Sequence, residues 1–150
     1  MTKFTNKIEK LIVLILMITV FGCNFNANIS HDNELSEKEN AEAVTAKLYL
    51  YTSRHNVEEV QKLFGQSFFK TSGTKSLQTF LWEKQRSFGN FKSYKLRSWK
   101  THRTTGTDPI AQYLLVYEVD YANQKAIEEI SLLKENNQIM ISGYHVSTEK

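Results

Sequence analysis

One cysteine and one proline among 150 residues rule out a disulfide framework and a proline-rich or collagen-like chain. Nine phenylalanines and seven tyrosines, against only six glycines, are too many large apolar rings for a chain that stays unfolded. The four histidines, His31, His55, His102 and His145, fall nowhere at a ligand spacing such as His-x-x-x-His, so no metal site is expected. Gly73-Thr74-Lys75-Ser76 lacks the upstream glycine and the Gly-Lys-Ser adjacency of a phosphate loop, and no Gly-x-Ser-x-Gly elbow occurs. No cofactor is implied. What remains, 41% hydrophobic and 23% charged, is the composition of one globular domain.

The first segment reads as an address. Lys3, Lys7 and Lys10 precede an apolar run of 11 residues, Leu11 to Phe21, in the layout of a secretory signal. As a helix the run would rise roughly 17 Å, short of the roughly 30 Å hydrocarbon core that a spanning helix must cross. It ends in Val20-Phe21-Gly22-Cys23, which resembles the lipobox of bacterial lipoproteins. That resemblance implies cleavage after Gly22, diacylglycerol on the Cys23 thiol and acylation of the new amino terminus. Two or three acyl chains, at about 0.8 kcal/mol per buried methylene, hold a protein to a bilayer stably where one does so only marginally. Residues 1–22 are therefore expected to be a signal peptide and Cys23 the link to the lipid bilayer. Asn24 in place of an aspartate favours the periplasmic side of the outer membrane if the cell is Gram-negative. Residues 1–22 hold three of the 19 basic side chains and one of the 16 acidic ones, which leaves 16 against 15, or +1, and gives no reason to expect a nucleic-acid partner.

Residues 23–35 are expected to be the lipidated cysteine and an Asn-rich flexible tether, and 36–150 a single domain. Ser36 with Glu39 has capping-box spacing, and Ala41, Val44, Leu48 and Tyr51 recur at helical intervals over about 37–53. Asn56 with Glu59 repeats the cap before a short second helix stopped by Gly65, and a third begins near Thr74 or Ser76 and stops at Gly89. After Gly89 the period changes to two, predicting strands over roughly 91–103, 111–122, 126–134 and 138–147. The fold class is α+β, with N-terminal helices packed on a curved four-stranded antiparallel sheet.

The stretches Tyr113 to Tyr121, Ala126 to Lys134 and Ile139 to Tyr144, with Phe88-Gly89 ahead of them, resemble the strand signature of domain of unknown function 4019. They are similar to the wider nuclear transport factor 2-like, cystatin-like cone fold, and the pointed parts are Glu128 and Gly143-Tyr144. Met140 stands where such proteins often carry tryptophan, and Asn136-Asn137 replaces an Asp-Gly turn. The resemblance implies a sheet curled round a long helix with a pocket at its open end. It implies no activity, because that superfamily holds isomerases and dehydratases alongside non-catalytic binding modules.

Acid–base chemistry in such a cone needs a carboxylate or histidine in an apolar pocket and a phenol to steady an oxyanion. Glu128, Glu118, Asp120 and His145 are candidate bases, Tyr113, Tyr117, Tyr121 and Tyr144 candidate donors. Glu128 shares a strand face with Ala126, Ile130 and Leu132 and so should meet the core edge, where a partner is needed: Arg97, Lys95 or a strand tyrosine. From Lys84 to Thr107 there are seven basic residues and no acidic one, and Lys92, Lys95, Arg97, Lys100 and Arg103 form a basic strip. Such a strip either meets anionic lipid or is balanced by Glu118, Asp120 and Glu129 on neighbouring strands. The expected function is that of a membrane-anchored envelope lipoprotein, a non-catalytic module binding an unknown envelope protein or small ligand. The alternative is a small-molecule or enzymatic cone using Glu128 with pocket tyrosines.

Overall fold

The computed structural model describes residues 29–72, 74–107 and 109–148; the expected signal peptide, Cys23 and residues 24–28 lie outside the described residues. In chain order the elements are β1 (Ile29–Asp32), α1 (Leu35–Ser53), α2 (Val57–Gln61), α3 (Gln66–Ser72), α4 (Thr74–Phe88), β2 (Phe91–Thr105), β3 (Ala111–Tyr121), β4 (Lys125–Glu135) and β5 (Gln138–Thr148). The strands form one open antiparallel sheet in the order β1-β2-β3-β4-β5. The sheet thus has five strands where the period-two pattern predicts four. The additional strand falls inside the expected tether: Ile29 to Asp32 pairs with Thr105 to His102. Four residues without apolar alternation carry no strand signal of their own, and it is the free edge of β2 that orders them. Asn33 then fixes the exit, its N–H donating to Thr101 O at 2.9 Å and its Oδ1 accepting from Thr101 N–H at 3.2 Å.

Because Asn33 turns the chain with φ 54°, α1 starts at Leu35 and Ser36 is already inside its first turn. The capping box expected from Ser36 and Glu39 is therefore not formed; Glu34 occupies the cap position without a side-chain bond. Asn56 does cap α2, accepting from Glu59 N–H at 3.2 Å. The short α3 was invisible to periodicity, and its start is held from a distance: the Glu135 carboxylate accepts from Gln66 N–H at 2.8 Å and Ser67 N–H at 3.2 Å. Gly89, at φ +80°, ends α4 in a backbone conformation that side chains resist.

The helices lie on the face of the sheet that the alternation of β3 marks out. Tyr113, Leu115, Tyr117, Val119 and Tyr121 are all buried, opposite Ala126, Glu128, Ile130 and Leu132 of β4. Against them α1 lays Ala41, Thr45, Leu48 and Tyr49, a stripe at helical spacing. It runs from one end of the sheet, where Glu37 accepts from Tyr113 Oη (2.7 Å) and Arg103 Nη1 (3.0 Å), to the other, where Tyr49 stacks on Phe91 and Tyr94. In β5 a bulge between the Ser131–Gly143 and Leu132–Ile141 pairs inserts one residue. That slip lets Ile141 and Tyr144, three apart, both face the helices.

A chain starting at Ser36 should still give a cooperative melt, since the core lies beyond that point. It should be less stable than a chain starting at Ile29 by at least about 2 kcal/mol, since the two Asn33 bonds, at about 1 kcal/mol each, are lost together with the β1–β2 pairing. Urea denaturation of the two chains measures the difference.

Candidate functional site

Glu128, with 0% of its surface exposed, lies on the helix-facing side of β4. Both of its oxygens are fully engaged. Oε1 accepts from Tyr121 Oη at 2.5 Å and from Lys84 Nζ at 3.3 Å. Oε2 accepts from Tyr144 Oη at 2.5 Å and from Tyr49 Oη at 3.1 Å. Lys84 spends its other two N–H groups on Tyr144 Oη at 2.6 Å and Tyr121 Oη at 2.9 Å, and its side chain is 4% exposed. Four acceptor sites and three ammonium donors therefore close on one another. The ammonium also lies 4.9 Å from the Tyr144 ring centre and 5.3 Å from that of Tyr121.

Burial sets the electrostatics. It raises the phenols of Tyr49, Tyr121 and Tyr144 well above the ordinary value, with the Glu128 charge adding to the effect, so all three stay protonated donors. The Lys84 ammonium is lowered by the same burial, against which the Glu128 carboxylate acts in the opposite direction.

The strand-phase reading of Glu128 and the tyrosine partnership agree with this arrangement; the proposed cations do not. Lys95 stands opposite Glu118 on the outward face, and Lys95 and Arg97 are exposed, whereas Glu128 is opposite the inward Tyr117. The cation comes instead from α4. Leu77, Phe80, Leu81 and Phe88 define the apolar face of that helix, and Lys84 falls on it, seven residues after Leu77 and four before Phe88. A lysine at that spacing was the available signal, obscured when Lys84 is counted with the basic run.

Of the other expected candidates, Tyr117 is beside the cluster but spends its hydroxyl on Thr45 Oγ1 at 2.6 Å, with burial pushing its phenol up to about 12. His145 is exposed and faces away from the helices, opposite Glu129. Tyr49 supplies a fourth partner that strand reasoning could not reach. In the basic strip, Arg103 pairs with Glu37 at 3.0 Å, and the acidic neighbours Glu118 and Asp120 bind Lys125 at 2.9 and 3.6 Å. Lys92, Lys95 and Lys100 remain on exposed positions of β2.

In front of Lys84, between the last turn of α1, α2 and α4, lies a cleft of about 300 Å³. Tyr51, Val57, Val60, Leu81 and Trp82 line it, and Trp82 is 60% exposed at its mouth. Thr52 Oγ1, in the same wall, is buried without a hydrogen-bond partner. Among the described residues no group of His, Cys, Asp and Glu could hold a metal ion.

Glu128→Gln strands a buried ammonium and Lys84→Met a buried carboxylate, so each should cost about 3–5 kcal/mol in urea denaturation. The double variant should cost much less than the sum. A second expectation concerns alkali. Tyr49, Tyr113, Tyr117, Tyr121 and Tyr144 all have raised phenols, so above the ordinary 10.0 the unfolded chain releases protons that the folded chain keeps, and stability falls as pH rises. Lys84, lowered in the fold, acts with the opposite sign below 10.5, but it is one group against five. The tyrosinate absorbance of these five should accordingly rise together with loss of the fold, not ahead of it. No family model matches this chain, and no curated protein matches it.

Proposed function

We propose that the chain is an exported lipoprotein, held at the bacterial envelope through acylated Cys23, whose domain is a non-catalytic binding module of the nuclear transport factor 2-like cone type. The long α1 along the sheet and the bulges that bend β2 and β5 support the cone. The basic head, short apolar run and Gly22-Cys23 junction support export and anchoring.

The observation that carries the non-catalytic reading is the closure of the Glu128 cluster. A general base needs an oxygen within about 2.6–3.2 Å of the proton it takes. Every acceptor site of Glu128 is occupied by Tyr121, Lys84, Tyr144 or Tyr49, and Lys84 stands between it and the cleft. The cluster therefore serves as a rigid floor. The cleft above it suits a mainly apolar ligand.

Two measurements test this. The mass of the mature amino terminus should be that of a diacylated or triacylated Cys23; an unmodified Cys23 within a longer mature chain overturns the anchoring. Anilinonaphthalene sulfonate should bind the domain, and Trp82→Ala, at an exposed position, should weaken it by about tenfold, the equivalent of about 1.4 kcal/mol of lost apolar contact. Unchanged dye affinity in that variant overturns the cleft as the binding site.

A further inference from the structure

We infer that the anchored domain stands on the end of the sheet that carries the β2–β3 and β4–β5 turns, with Ile29 and Ile110 against the headgroup region of the bilayer and the α1–α4 cleft facing away from it. This rests on the reading of Cys23 as the acylated residue.

The first argument is reach. Only five residues separate Cys23 from Ile29, where β1 is already paired with the end of β2. The six residue steps from Cys23 to Ile29 span at most about 20 Å. β3, at 11 residues, is about 35 Å long, so the opposite end of the sheet, with the turn at Asn123 and Gln124, cannot rest on the bilayer while the domain hangs inverted from that short link.

The second argument is surface chemistry. Ile29 is 58% exposed and Ile110 48% exposed, and both lie at this end, Ile29 opposite Thr105 and Ile110 bonded through its carbonyl to Thr104 N–H at 2.8 Å. Strand parity sends them to opposite sides of the rim, so together they flank it. Lys134, exposed on the neighbouring strand end, adds a cation that an anionic headgroup attracts. A patch of two isoleucines and a lysine at the point where the lipid link enters fits a bilayer surface. The third argument is polarity of the fold. α1 begins beside Arg103 and Tyr113 at the rim and ends beside Phe91 and Tyr94, and the cleft lies past that far end of the helix, between Tyr51 and Trp82.

The test uses the mature acylated protein in vesicles of phosphatidylethanolamine and phosphatidylglycerol. Acylation blocks the native thiol, so single cysteines at Ile110, Asn123 and Lys95, all surface positions, can each carry an environment-sensitive fluorophore. The label at Ile110 should be quenched by a lipid-borne quencher and shielded from iodide several-fold more than those at Asn123 and Lys95. Shielding at Lys95 with Ile110 open to iodide would mean that the domain lies on its basic strip, and equal exposure at all three would mean that it floats free; either overturns the orientation. A mass spectrum without lipid on Cys23 overturns the anchoring reading itself, before orientation is at issue.

Discussion

The Lys84–Glu128 pair sets the terms on which the helices and sheet come together, because an ammonium and a carboxylate this deeply buried survive only if nearly every polar atom around them is satisfied. Each ion gives up hydration worth several kcal/mol, and the return comes from geometry. Tyr121 must come from β3, Tyr144 from β5, Tyr49 from α1 and Lys84 from α4. Hydrophobic burial alone has no direction, and a face of tyrosines and aliphatics would accept a helix at more than one position along it. Five elements meeting at one carboxylate accept a single arrangement. The bulge in β5 belongs to the same requirement, since without the inserted residue Tyr144 would face solvent.

Closure also separates this cluster from sites that work on a substrate. Acid–base chemistry keeps a lone pair or a proton uncommitted and within reach of the reacting atom. Here the phenols are raised and hold their protons, the ammonium is spent three times, and the apolar cleft begins only on the other side of Lys84. The same residue is thus the roof of a polar core and the floor of an apolar recess. The closed cluster lies below the recess, and Trp82 and Val57 are exposed above it.

Much of the fold was legible in the residues. The alternation from Tyr113 to Tyr121 identified the buried face of β3, Gly89 marked the end of α4, and Asn136-Asn137 marked a turn whose φ values of 47° and 66° both need left-handed backbone, whereas α2 ends at Gln61, before the Gly65 expected to stop it. Glu128 could be placed by phase alone. What stayed hidden was non-local. β1 exists because β2 offers it an edge, and α3 starts where Glu135, almost seventy residues away along the chain, receives its N–H groups. Lys84 was concealed by its own charge: a lysine reads as surface until the positions three and four residues away are weighed with it.

β1 covers only the final four residues of β2, and among the described residues no other strand is hydrogen-bonded to that side of β2. A strand edge without a neighbouring strand is a template on which another copy of the chain, or any extended peptide, could add a strand. This edge carries Lys92, Lys95 and Arg97, and two bulges, between Phe91 and Ser93 and between Leu96 and Ser98, break its regularity. Inserting charges and kinks is how sheet proteins keep such edges from recruiting neighbours. Wherever copies of the domain are crowded together, the basic strip works against edge-to-edge association: like-charged edges repel one another, and the kinked backbone denies an incoming strand a continuous ladder.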